Sequence, residues 1–153
     1  MSEPCGCQGP RPTRIEVGDL QWTGHRDRDE GIVTAGVSED LVKTKWGGHL
    51  GLYGEQAGIF QHSAPYRYFG GGVEYRQNLG RGHDVRPYAG VGVGGYHVVV
   101  HDWSNHSYDR WGEKAFIGVD TKSGVFLELS AGTFGKTRQR QLTTYGVSIG
   151  LRF

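Results

Sequence analysis

No stretch of this 153-residue chain approaches the ~18 consecutive apolar residues of a membrane-crossing helix. No convincing amphipathic helix is visible, so an open sheet with an apolar face would have nothing to cover it. An excess of charge of either sign is also missing. The formal net charge is +1, which offers no field for bulk binding of nucleic acid. Cysteine is scarce: Cys5 and Cys7 stand in a single Cys-Gly-Cys run. A bridge across so short a span is strained, and no histidine stands nearby to complete a metal site. Residues 1–12 are therefore expected to form a disordered polar tail ahead of one domain over 13–153. The opening residues have neither the basic n-region nor the apolar h-region of a secretory signal. No cofactor or metal is expected.

What the chain does have is glycine (27 residues) and aromatics (8 Tyr, 6 Phe, 4 Trp), laid out with a period of two. In the last nine residues Tyr145, Val147, Ile149, Leu151 and Phe153 alternate with Gly146, Ser148, Gly150 and Arg152. One face of that strand is wholly apolar and the other is small or polar. In 86–96, Pro87, Ala89, Val91 and Val93 alternate with Tyr88, Gly90, Gly92, Gly94 and Tyr96. Glycines on one face make room for large neighbours if that face lines a narrow barrel.

Eight such strands are predicted, near 13–23, 31–38, 45–54, 66–77, 85–100, 111–121, 124–134 and 143–153. The first is the least regular and is expected to carry a bulge. Trp46 is placed on the third, in line with Leu50 and Leu52. Between strands, short links at 38–44, 78–84 and 120–124 alternate with longer polar or aromatic ones at 25–30, 55–65, 101–110 and 135–142. Such alternation suits an even-stranded barrel with short turns on one side of a membrane and long loops on the other. A mean hydropathy of −0.52 is compatible with this, because only alternate strand residues would meet lipid.

The terminal segment ending in Phe153, with Tyr145 eight residues before it, resembles the C-terminal signature of small bacterial outer-membrane β-barrels, the outer-membrane protein A/X/W type. The Arg86-Pro-Tyr88 strand with its alternating glycines looks like a central strand of the same barrels. The resemblance implies an all-β, eight-stranded antiparallel up-and-down transmembrane barrel in the bacterial outer membrane. It also implies two partners: outer-membrane lipid, and the barrel insertion machinery, which would read the C-terminal strand. No nucleic-acid partner is expected.

In that register Val91, Val93, Leu127, Leu129, Tyr145, Val147, Ile149, Leu151 and Phe153 are expected to face lipid. Glu74, Arg76, Lys114, Asp120, Glu128 and Arg152 fall on the opposite face, where unpaired charges would be costly. They are expected to pair as a polar plug. Trp103, Tyr108 and Trp111 suit an aromatic girdle at the membrane interface. His97, His101 and His106 read as rim histidines rather than metal ligands, since convergence is not apparent from their spacing.

Two other functions are compatible with the pattern. Gly-Val-Glu-Tyr-Arg76 followed by Arg86-Pro-Tyr-Ala-Gly90 also resembles the lipid A 3-O-deacylase barrels, which carry a His-x-Ser motif on the penultimate strand and an acidic partner on the last. The corresponding positions here read Glu128-x-Ser130, with no histidine on the last two strands. A catalytic role would need His97 or His49 to reach Ser130 across the barrel. No catalytic residue is therefore assigned. The third possibility is a soluble lipocalin-type barrel, with the apolar face turned inward around a ligand.

Overall fold

A computed structural model describes residues 13–23, 31–58, 61, 64, 66–80, 84–100, 106–135 and 142–153. The expected tail, with Cys5 and Cys7, and the loop residues His101 and Trp103 lie outside the described residues. The strands are β1 (Thr13–Thr23), β2 (Ile32–Lys43), β3 (Gly48–Ala57), β4 (Tyr66–Asn78), β5 (Val85–Val100), β6 (His106–Thr121), β7 (Val125–Phe134) and β8 (Leu142–Arg152). Each pairs antiparallel with the next. β1 also pairs with β8, from Arg14↔Arg152 to Thr23↔Thr143, and this closes the barrel. Closure removes the unpaired edges that an open sheet would present.

Four expectations about the strands need correction. β1 keeps a continuous register with both neighbours; the irregularity lies in β2, between Asp40 and Val42. β2 runs on to Lys43, beyond the expected end at Ser38. The extra residue at the bulge leaves Leu41 and Val42 both exposed. Trp46 is not on β3 but in the turn before it, and is 82% exposed. Its turn is closed by Gly47 in the left-handed region (φ 82°), where glycine carries no steric penalty. Finally, β6 begins at His106 rather than Trp111, because pairing with β5 continues as far as Val100↔His106. A 16-residue β5 and a 16-residue β6 thus form the longest hairpin of the barrel.

Inside, small residues sit opposite large ones. A Cβ added at Gly118 would stand 2.5 Å from the Tyr88 hydroxyl, and one at Gly90 would overlap the Phe116 ring. Gly90→Val should therefore destabilise the barrel by about 1–3 kcal/mol through overpacking. Chemical denaturation of the refolded protein checks this, and an unchanged midpoint would show that Phe116 can move aside.

Candidate functional site

Two surfaces carry the chemistry of this barrel: its outward belt and its interior. Along β8, Tyr145, Val147, Ile149, Leu151 and Phe153 are each about half exposed. Val91, Val93, Leu127 and Leu129 stand on the same outward side, joined by Ile15, Val17, Leu50, Leu52, Val73 and Ile117. The register sets these side chains in rows, for example Val17↔Ile149↔Leu127↔Val119. Phe69, Trp111 and Tyr145 lie toward the long-loop end of this belt; Trp46 and Phe153 lie at the short-turn end. Tyr108 departs from the expected girdle. It is three residues from Trp111 and therefore on the opposite strand face. It stands at the barrel mouth with the His106 ring at 6.2 Å and the Arg110 guanidinium at 5.4 Å.

The interior is polar at the short-turn end and apolar toward the long loops. Near the short turns, Asp40 accepts hydrogen bonds from Arg76 and, at 3.0 Å, from Arg152; His49 lies 3.5 Å away. Arg152 also donates to Asp120 at 2.5 Å. One layer further in, Arg14 donates to Glu128 at 3.0 Å and to the Tyr88 hydroxyl at 2.6 Å, while Tyr88 donates to Glu128 at 2.9 Å. The Arg14 guanidinium also lies 3.9 Å from the centre of the Phe126 ring, a cation–π contact. Lys114 stands 3.4 Å from Glu55 and 3.5 Å from Glu74, over the Tyr53 ring. Glu16 accepts a hydrogen bond from Ser148 at 3.2 Å.

Above these charges is an apolar cap. Tyr68, Tyr96 and Phe134 pack ring against ring at 4.7–5.8 Å, among Leu20, Ile32, Ala57 and Val98. Tyr53 and Tyr96 share a hydrogen bond of 2.6 Å. Between cap and charges lies a cavity of about 40 Å³ bordered by Glu16, Glu55, Lys114, Glu128 and Ser130, room for a few water molecules.

Glu74, Arg76, Lys114, Asp120, Glu128 and Arg152 all lie in this interior, each with a charged partner. Four of the groups that complete it went unread in the sequence: Arg14, Glu16, Asp40 and Glu55. Parity alone places Arg14 and Glu16 with Leu20. Asp40 and Glu55 were lost because β2 and β3 extend past the expected strand ends.

Among the described residues, the hydrolase geometry is not assembled. Ser130 borders the internal cavity, whereas His97 is partly exposed on the outward face, with its Nδ1 2.7 Å from Asp109. His49 is held at Asp40, at the short-turn end. Among the described residues, no histidine is placed against Ser130. The lipocalin arrangement is overturned as well: the apolar face is outside and the charges are inside. Among the described residues, no group of three His, Cys, Asp or Glu is placed to hold a metal.

No protein-family model matches the chain, and no curated protein matches it in sequence. Solved structures do match. The outer membrane enzyme PagL superposes with a TM-score of 0.69 at 12% identity, over 92% of this chain and 99% of that one. Neisserial surface protein A gives 0.66 at 11% identity, over 92% and 96%. The N-terminal β-barrel domain of Pseudomonas aeruginosa OprF gives 0.62 at 14% identity, over 95% and 100%. The chain has the fold of the small eight-stranded outer-membrane barrels.

Proposed function

We propose that this chain is a monomeric outer-membrane barrel that does not conduct, and that works through its long-loop end or by contributing to membrane integrity. The observation that carries the reading is the inverted polarity. A belt of aliphatic side chains faces outward without cover, while buried charges pair inside. In water such a belt would drive aggregation; in a bilayer it is the expected lipid contact. The apolar cap and the small cavity beneath it argue against a continuous pore. The refolded barrel in a planar bilayer should show no steady conductance. Stable unit steps that survive repurification would contradict a closed interior.

The C-terminal strand is read as the segment that engages the insertion machinery of a Gram-negative cell. Phe153 is 58% exposed at the end of β8, and its backbone N–H is bonded to the Thr13 carbonyl at 2.9 Å. Its side chain contributes at most ~1.5–3 kcal/mol of burial. Deleting it should therefore reduce membrane yield in cells while detergent refolding persists. Equal membrane yield from the truncated chain would remove this role.

Hydrolysis of lipid A is not expected, because among the described residues no histidine stands beside the inward Ser130. Mass spectrometry of lipid A incubated with the refolded barrel should show every ester-linked chain retained. Loss of one chain, abolished by Ser130→Ala, would restore the deacylase reading.

A further inference from the structure

The outward belt is interrupted by a carboxylate. Glu113 lies on β6 between Trp111 and Ala115 and is exposed. Its cross-strand neighbours are Val93 on β5 and Thr133 on β7, and Thr133 in turn pairs with Thr143 on β8. Glu113 has no partner among the described residues, in contrast to the interior carboxylates. Beside it the surface is hollowed. Ala115 and Ala131 are register partners with short side chains, and they form the floor of an open depression of about 810 Å³. Val91, Val93 and Leu50 border one side of it and Tyr145 the other. A depression on a lipid-facing surface does not stay empty, because chains pack into it. A carboxylate at its edge, level with Thr133 toward the long-loop end, offers a site to a cation or a hydrogen-bond donor.

We propose that this depression binds a membrane lipid that carries a primary amine. One acyl chain lies over Ala115 and Ala131. The ammonium donates a charge-assisted hydrogen bond to Glu113, and Thr133 stands beside it on β7. Lipid tails are as apolar as the belt, so the apolar floor alone gives little selectivity. Selectivity comes from the carboxylate, since ionised hydrogen bonds are about twice as strong as neutral ones. The inference rests on the membrane reading above.

The test reconstitutes the barrel with equal amounts of phosphatidylethanolamine, phosphatidylglycerol and phosphatidylcholine, then counts retained lipid by native mass spectrometry. The wild type should retain phosphatidylethanolamine over either competitor by about tenfold, and Glu113→Gln should bring the ratio to about one. Ala115→Leu, which fills the floor, should lower retention of all three. Equal retention of the three lipids by the wild type, or a preference that survives Glu113→Gln, would overturn the proposal. Glu113→Gln removes a charge from the lipid face, so it should fold at least as readily as the wild type. Heat-modifiable gel mobility of the same samples reports folding independently. A folded barrel without lipid preference counts against this site alone, whereas failure to fold in lipid counts against the membrane reading.

Discussion

Replacing Glu128 by alanine should destabilise the folded barrel by about 3–5 kcal/mol, read from denaturant unfolding in detergent or lipid vesicles. Arg14 is 4% exposed, and Glu128 is the only carboxylate to which it donates among the described residues. Without Glu128, the guanidinium keeps one neutral acceptor, the Tyr88 hydroxyl, and two aromatic faces. A buried cation left that way costs more than the pair contributed, because its desolvation is no longer offset. The double replacement Arg14→Met with Glu128→Leu should recover most of the loss, since no charge then remains to be satisfied. A cost below about 1 kcal/mol for Glu128→Ala would mean that water reaches Arg14 freely, as in an open channel.

The second large effect is on the opposite face. Ile149→Arg should cost ~2–4 kcal/mol in phospholipid vesicles, the penalty of a cation near the bilayer midplane. Ile149 is central in the belt, with Val147 and Leu151 along its strand and Val17 and Leu127 across it. If that face met water, the same substitution would fall within about 0.5 kcal/mol of neutral. Arg14 and Ile149 thus test one polarity from its two sides.

The alternation of β5, β7 and β8 was legible in the sequence because apolar and small residues occupy strictly alternate positions there. The eight strands and their antiparallel order followed from that alternation together with the turn residues. Strand ends were less legible. β2 continues through Glu39, Asp40 and Leu41, a polar stretch interrupted by a bulge, so its period-two signal is lost at the point where it supplies Asp40 to the interior. β6 starts five residues early, through His106 to Arg110, because cross-strand pairing with β5 overrides a loop-like composition. Pairing across the barrel cannot be read from one strand at a time. Arg14 and Glu128 are 114 positions apart and meet only after closure. The same holds for Arg152, which bridges Asp40 and Asp120.

The central claim is that odd-numbered residues of β8 face lipid and even-numbered ones face a closed interior. Single cysteines at Val147, Ile149, Gly146 and Ser148, in a chain with Cys5 and Cys7 replaced by serine, can each carry a spin label in the refolded, bilayer-embedded barrel. Labels at Val147 and Ile149 should relax strongly with membrane-soluble oxygen and weakly with a water-soluble nickel chelate. Labels at Gly146 and Ser148 should respond less to oxygen. Strong nickel relaxation at Val147 and Ile149, in a protein that stays monodisperse without detergent or lipid, would contradict the account.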